Sequence, residues 1–156
     1  MENNELIAYR LQLVQRIKSA AQGFSEACRR VKDPFAPVEE GGWNTHQLAA
    51  HTRDVQIHVY GARVRRTVEE DQPVFPNFDN DAWNAEHYYT DEPIIKIMDE
   101  FLADVRQITP WLEGLPASAW SRLSRHEVHG EFTMQIWVER MLAHIEEHLA
   151  TVSKVD

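Results

Sequence analysis

Size and charge limit what this chain can be. Its 156 residues suit one domain at roughly 150 residues each, and we expect residues 1–156 to form a single domain. The 16 lysines and arginines are outnumbered by 25 aspartates and glutamates, so the formal net charge of −9 repels phosphate backbones and anionic lipids. We therefore expect no nucleic-acid partner and no membrane partner. The single cysteine, Cys28, excludes an internal disulfide and a Cys-x-x-Cys zinc knuckle.

The hydropathy pattern predicts a cytoplasmic protein. The first five residues are Met1-Glu2-Asn3-Asn4-Glu5, whereas a secretory signal begins with basic residues and continues into an unbroken apolar run. No segment approaches the roughly 18 consecutive apolar residues of a membrane span. Neither export nor membrane insertion is expected from these features.

The N-terminal region is predicted to form one long amphipathic helix, because its apolar residues recur at every third or fourth position. This stripe consists of Leu6, Tyr9, Leu13, Ile17, Ala20, Phe24, Ala27 and Val31. Cys28 falls on the inward side, where a small core residue is the favoured interpretation over a nucleophile. The helix should end before Asp33-Pro34, because proline disfavours helical backbone at the residue that precedes it.

A second helix is predicted to begin at Asn44. The Asn44 side chain can cap the helix, and Gln47 completes a capping box with it. The inward face of this helix consists of Leu48, His51, Val55, His58 or Val59, and Ala62. Histidine therefore interrupts an otherwise apolar face.

The residues from about 70 to 90 lose the helical period and form a connection long enough to cross the length of a helix. The aromatic residues of this crossover are Phe75, Phe78, Trp83, Tyr88 and Tyr89. They can form a strap that packs on the flank of the bundle or a lid over a pocket, and the strap is the favoured interpretation.

Two further helices follow the crossover. Thr90 is predicted to cap a third helix, whose inward stripe consists of Ile94, Met98, Phe101 or Leu102, Val105, Ile108 and Leu112. A short helix is expected at about residues 117–124, and the fourth long helix is expected to begin near Thr133. No segment alternates as a strand would. The predicted fold class is all-α, a four-helix bundle of up-down-down-up order with the crossover between helices two and three.

Three histidines should meet inside this bundle. His144 and His148 are four residues apart, so they stack on one face of the fourth helix. At 1.5 Å per residue, His51 lies about 10 Å from the start of helix two, and His144 and His148 lie about 12 and 6 Å from the end of helix four. The two helices are antiparallel in this topology, so all three rings occupy one level. A buried histidine is more often a hydrogen-bonded core residue, but this agreement in depth favours a metal site with open positions.

The run from His144 to His148 also fits the H-x-x-E-H pattern, in which two histidines bind zinc and the glutamate is a general base. That pattern needs a further glutamate ligand well downstream, and the chain ends soon after His148. Glu147 is therefore interpreted as a solvated carboxylate.

The sequence resembles the DinB-like superfamily of small metal-binding four-helix bundles over nearly its whole length. The resemblance rests on Gly42-Trp43-Asn44-Thr45 leading to His51-Thr52-Arg53-Asp54, and on the stretch from His126 to Thr133 leading to His144-x-x-x-His148. It implies a divalent metal ion, zinc or nickel, bound by His51, His144 and His148. It also implies a homodimer.

Characterised members of the superfamily include thiol-dependent isomerases and S-transferases that use mycothiol or bacillithiol, so the resemblance implies a small-molecule substrate and possible use of such a thiol as co-substrate. Some members carry a carboxylate at the position of His144, and the histidine here leaves the ligand set uncharged. Two hypotheses stay open: a metal-dependent transferase, isomerase or hydrolase, and a non-catalytic dimeric metal-binding bundle.

The remaining candidates are weaker. Asp54 and His58 follow His51 by three and seven residues, so either could orient a ligand or carry a proton, but an arginine pair and a satisfied core imidazole are favoured instead. His126 and His129 are expected in a loop without a ligand role, and His46 and His87 are expected at the surface.

With ordinary histidine pKa values near 6.5, bound metal should be lost below about pH 6.

Overall fold

The structure, a computed structural model, describes residues 3–38 and 42–156; Met1 and Glu2 of the acidic N-terminal run lie outside the described residues. The helices are α1 Asn4–Arg30, α2 Thr45–Val55, a π-helix Gln56–Tyr60, α3 Gly61–Glu69, α4 Asn80–His87, α5 Ile94–Glu113, a 3-10 helix Ala117–Ser121 and α6 Met134–Val152. The strands are β1 Val74–Phe75, β2 Leu123–His126 and β3 Gly130–Thr133. Because α2, the π-helix and α3 are continuous, the long helices number four within this part of the chain.

The predicted fold class is confirmed as a four-helix bundle. Helix α1 packs against α5 and α6, and α2 packs against α5 and α6. The apolar stripe predicted for the first helix is buried from Leu13 onward, whereas Tyr9 is partly exposed. Cys28 is 1% exposed within this core. Among the described residues, no helix has the length and hydropathy needed to cross a bilayer.

The ends of the helices follow their capping residues. The Asn44 side chain accepts from the Gln47 N–H at 2.7 Å and the Gln47 side chain accepts from the Asn44 N–H at 3.0 Å, so the predicted capping box is present. The Thr133 hydroxyl accepts from the Ile136 N–H at the start of α6, as the sequence indicates. These caps satisfy backbone donors that the first turn of a helix leaves unpaired.

The predicted Thr90 cap is wrong. Helix α5 begins at Ile94 with Pro93 at the N-cap, and residues 90–92 form a turn. Proline disfavours helical backbone at the residue before it, here Glu92, and so favours a helix that begins after Pro93. The crossover also contains helix α4, which the sequence interpretation missed although Asp79 caps it by accepting from the Ala82 N–H.

A small three-stranded sheet closes one side of the bundle and was not predicted. Strand β1, from the crossover, pairs in parallel with β2, and β2 pairs with β3 in antiparallel fashion. Gly130 begins β3 with a φ of 84°, a backbone conformation that glycine adopts without strain. Strands of two to four residues are too short to show alternation in a sequence.

Candidate metal centre

Three imidazole rings meet between α2 and α6. The Nε2 atom of His144 lies 3.0 Å from Nε2 of His51 and 3.1 Å from Nε2 of His148. One ligand atom from each ring can be chosen so that all three lie within 4.8 Å of one another. The ring of Trp43 packs edge-on against His51 at 5.0 Å between centroids. The structure therefore brings together the three histidines that the depth argument selects.

Two of the three nitrogen separations in this cluster fit binding to one metal ion. Two nitrogens that each lie about 2.0–2.1 Å from a zinc ion, at angles between octahedral and tetrahedral values, are separated by roughly 2.9–3.4 Å. Both separations involving His144 fall in this range. Three imidazoles from two rigid helices leave further coordination positions for water or substrate, the arrangement of catalytic rather than structural zinc sites.

Burial keeps these rings neutral. Desolvation, reinforced by the neighbouring His148, lowers the pKa of His51 to about 4. Desolvation, with smaller contributions from His148 and His51, lowers the pKa of His144 to about 2. Desolvation also lowers the pKa of His148, although Glu147 opposes the shift. His51 and His144 therefore stay unprotonated below pH 6, and the lowered pKa values move the expected acid limit for metal binding below the one derived from ordinary histidine pKa values.

Sequence comparison places the chain in a family. The profile of the DinB superfamily matches residues 12–152. The chain belongs to the DinB superfamily. It is 26% identical over 113 residues to a protein of Oceanobacillus iheyensis named "Putative metal-dependent hydrolase"; that match spans 72% of this chain and 64% of the relative's length.

The fold of this DinB-superfamily protein is also found in a solved structure. YfiT from Bacillus subtilis, described as "a probable metal-dependent hydrolase with an unusual four-helix bundle topology", superposes with a TM-score of 0.84 and 18% identity. The superposition covers 99% of this chain and 87% of YfiT. At this level of identity the likeness establishes the four-helix bundle and its topology.

Asp54 and His58, the weak catalytic candidates, lie away from the three imidazoles of this DinB-superfamily protein. Asp54 Oδ1 accepts from Nε of Arg53 at 2.9 Å, and its Oδ2 accepts from Nε1 of Trp83 at 3.0 Å. The exposed His58 ring lies 5.0 Å from the Trp83 ring. Both side chains contact Trp83 of the crossover. Asp54 precedes the π-helix and lies about 60° around α2 from His51, whereas His58 lies within the π-helix, whose wider turn moves it off the face of His51.

The remaining histidines differ from their sequence interpretations. His46 is 2% exposed, so its predicted surface position is wrong. His87 is half-buried and stacks on Trp83 with centroids 3.8 Å apart. His126 is buried at the end of β2 and not in a loop, whereas His129 lies in the exposed turn that follows.

The π-helix changes which residues of the second long helix face the site. In an uninterrupted α-helix, Arg63 would lie about 120° around the helix axis from His51. The π-turn contains one extra residue, which reduces this angle by about 100°, so Arg63 lies close to the face of His51. Gly61 permits the turn, because a Cβ there would lie 2.4 Å from the carbonyl oxygen of Gln56. Tyr60 and Arg63, which the sequence interpretation missed, thereby reach the cavity beside His144. A glycine inside a strongly helical segment was the available signal.

Two cavities adjoin the rings. A cavity of about 170 Å³ is bordered by His144 together with Tyr60, Arg63 and Trp137. A second cavity, of about 150 Å³, is bordered by His148, Glu147 and Trp43. Two of the three imidazoles, His144 and His148, therefore each border a cavity, which a structural metal site would not require.

The crossover serves as both a strap and a wall. Phe75 is 2% exposed and packs edge-on against Trp137 with centroids 5.9 Å apart, as the strap interpretation predicts. Phe78 and Asn77, which follow β1, border the cavity beside His144, as the lid interpretation predicts. Pairing of β1 with β2 fixes the crossover in this position.

Proposed function

We propose that this protein is a metal-dependent hydrolase that acts on a small molecule and binds one divalent metal ion through His51, His144 and His148. The observation that carries the proposal is the pair of Nε2 separations at His144, 3.0 and 3.1 Å, in a partly buried cluster of imidazole rings. Imidazole nitrogens suit zinc and nickel, and these are the ions proposed here. The names given to the Oceanobacillus iheyensis relative and to YfiT support the same activity.

A divalent ion with open positions lowers the pKa of bound water and polarises a carbonyl or phosphoryl oxygen. The protein's own residues prepare the surroundings for that chemistry. The uncharged ligands leave the full positive charge of the site in place. The Tyr60 ring lies 5.4 Å from the His144 ring, and burial raises the Tyr60 pKa, so its hydroxyl stays protonated and can donate a hydrogen bond to a substrate in the cavity.

Transfer to a thiol is the second candidate for the same site. The resemblance to thiol-dependent S-transferases and isomerases motivates it, and the structure limits how it could occur. Cys28 is buried in the core, and burial raises its pKa to about 12, so the protein's own cysteine is not the nucleophile. The thiol would be a low-molecular-weight co-substrate that enters from solution.

We also propose that the protein is a homodimer, as the resemblance to the superfamily implies.

Metal analysis of the purified full chain, before any chelation, tests the proposed ligands. We expect about one zinc or nickel ion per chain in the wild type, and at least a tenfold lower content in His51→Ala, His144→Ala and His148→Ala. The matched control is His87→Ala, which removes a half-buried histidine that contacts Trp83 and should keep the metal. Equal metal content in the control and the three variants would refute the ligand assignment.

Turnover separates the candidate reactions. The metal-loaded protein is incubated with small esters, amides and phosphoesters, each with and without an added thiol. Hydrolysis in water that is lost in His144→Ala supports the hydrolase. Product formation only with thiol favours the transferase, and bound metal without turnover under either condition supports the non-catalytic bundle.

Circular dichroism should stay helical in His148→Ala, because packing of α6 on α1 supplies the stability; unfolding would assign the metal a structural role.

A further inference from the structure

The cavity beside His144 is positively charged in an otherwise acidic protein. Arg63 and Arg140 both border it, and no aspartate or glutamate does so among the described residues. The formal net charge of the whole chain is −9, so an arginine pair without carboxylates is a local exception. Burial lowers the pKa of Arg63, and repulsion from the Arg140 guanidinium, which shares the cavity, adds a smaller contribution.

Arg63 is held in place without a counter-charge. It is 9% exposed, and its Nη2 donates to the Pro76 carbonyl oxygen at 2.8 Å. Its guanidinium also stacks over the Trp137 ring at 4.9 Å from the centroid. In the part of the chain that the structure describes, Arg63 forms no ion pair, whereas Arg53 pairs with Asp54 at 2.9 Å. A buried cation without an anion is unfavourable, so its retention favours a ligand that supplies the negative charge.

Arg140 approaches the same cavity from α6. Its guanidinium lies over the Phe132 ring at 4.8 Å from the centroid, and within the described residues it makes no ion pair. A guanidinium held over an aromatic face keeps N–H groups available for an anion. The guanidinium groups of two arginines, one on α3 and one on α6, thus border one cavity of about 170 Å³.

His126 adds an uncharged donor. Its Nδ1 accepts from the backbone N–H groups of Val128 and His129, each at 3.1 Å. A nitrogen that accepts two hydrogen bonds carries no proton, so in the neutral ring the proton is on Nε2. No described residue accepts from Nε2, and His126 borders the cavity. Asn77 also lies on this wall, where its side-chain amide can donate.

We propose that this cavity binds the anionic group of a small substrate, a carboxylate or phosphoryl group, between Arg63 and Arg140. His126 donates from Nε2 to the same group. The reacting part of the substrate then lies toward His144, because His144 borders the same cavity as the two arginines, with its ring 5.4 Å from that of Tyr60. The substrate class, a small acidic molecule, rests on the proposed hydrolase function, whereas binding of the anion itself does not need the metal.

Calorimetry with defined probes tests the proposal. The full chain, as purified and after treatment with a chelator, is titrated with inorganic phosphate, with acetate and with the neutral amide acetamide. We expect phosphate or acetate to bind to both forms and acetamide to bind to neither. The anion with the higher affinity identifies the phosphoryl or carboxylate class.

The variants locate the anion. Arg140→Gln should weaken anion binding about 10- to 100-fold, as expected for losing a hydrogen bond to a charged group. Arg140 is exposed, so this change should not unfold the protein. Arg63→Lys, which keeps the charge but loses the planar fork, should weaken binding to a smaller extent. Arg106→Gln is the matched control, because it removes the same charge from an exposed arginine that borders a different cavity.

The outcomes separate this proposal from the hydrolase proposal. Arg140-dependent anion binding by a protein that, as purified and before any chelation, holds no metal at the three histidines would support the anion site and refute the metal-dependent hydrolase. Binding that is equal in wild type and Arg140→Gln, or binding only to the metal-loaded form regardless of Arg140, would overturn the anion site. Equal affinity for acetamide and acetate would overturn it as well.

Discussion

His46, which is buried, and the partly buried cluster formed by His51, His144 and His148 show two uses of imidazole within one bundle. His46 is hydrogen-bonded at both nitrogens: its Nε2 donates to the Glu92 carbonyl oxygen at 2.6 Å, and its Nδ1 accepts from the Tyr88 hydroxyl at 2.7 Å. The clustered rings face one another instead. His46 and His51 lie on the same helix, five residues apart.

The partners of each ring account for its role. The hydrogen bonds of His46 connect the start of α2 to the turn before α5, so this imidazole stabilises the packing of two helices. The clustered rings turn several nitrogen lone pairs toward one point, and neutral nitrogens at that spacing are satisfied best by a shared cation. A buried histidine is therefore interpreted from the groups that face it, and burial alone does not distinguish the two uses.

Acidification of the metal-free protein should give the largest difference between the two regions. The pKa of His51 is lowered to about 4 and that of His144 to about 2, so the unfolded chain, with histidine pKa values near 6.5, binds more protons than the folded chain in this range. The free energy of unfolding should be unaffected by these rings above pH 6.5. It should fall as the pH decreases toward 4, by about 1.4 kcal/mol per pH unit for each ring.

Urea unfolding between pH 4.5 and 8 measures this slope. His144→Ala removes one of the lowered groups and should give a visibly shallower decrease than the wild type. The aspartates and glutamates have unfolded pKa values near 4, so this pH window excludes most of their contribution. A slope that is identical in wild type and His144→Ala would contradict the assignment of neutral, desolvated rings.

Replacement of His46 should have the next largest effect. His46→Ala leaves the Glu92 carbonyl and the Tyr88 hydroxyl without their partner and opens a cavity, so we expect a loss of about 2–4 kcal/mol in the free energy of unfolding. His144→Ala should reduce the stability of the metal-free protein by less than half as much at pH 8. Metal content should follow the opposite order, unchanged in His46→Ala and lost in His144→Ala. Equal losses of unfolding free energy in His46→Ala and His144→Ala would contradict the view that His46 stabilises the fold more than His144 does.

The sequence predicted the clustered rings better than it predicted His46. The spacing of His144 and His148 follows from helix periodicity, and the depth of His51 follows from the rise per residue, so local rules were sufficient. The partners of His46, Tyr88 and Glu92, lie more than forty residues away in the segment between α4 and α5. The start of α5 was mistaken, because the helix begins after Pro93 and not at Thr90. Long-range partners of this kind depend on tertiary packing, which periodicity does not encode.

Arg63 and Tyr60 were missed for a different reason. Their orientation depends on the π-turn, which adds a residue to one turn of the helix and shifts all later side chains around its axis. The α-helical period assigned the inward face to Ala62 instead. Strands β1 to β3, which close the cavity, were too short to be recognised.

Gly61→Ala should change the region of the clustered rings and spare His46. The added methyl group would lie 2.4 Å from the Gln56 carbonyl oxygen and 3.0 Å from an Asp104 carboxylate oxygen, so the π-turn must shift. We expect a loss of about 1–3 kcal/mol in the free energy of unfolding, together with weaker metal and anion binding. Gly23→Ala is the control, because its methyl group would meet only the flexible Leu149 side chain at 3.4 Å, and it should stabilise α1 by up to about 1 kcal/mol. Unchanged metal and anion affinity in Gly61→Ala would show that the π-turn does not position the site.

Cys28→Ala should have the smallest effect. The thiol is 1% exposed in the core and burial raises its pKa to about 12, so it is a poor nucleophile and a poor metal ligand at neutral pH. Iodoacetamide should modify it far more slowly in the native protein than in urea, while metal content and any thiol-dependent turnover should be the same in Cys28→Ala as in the wild type. Loss of either property in a variant that keeps its helical circular dichroism would mean that the core thiol takes part in the chemistry. The three imidazoles would then not be the complete set of groups that bind the metal.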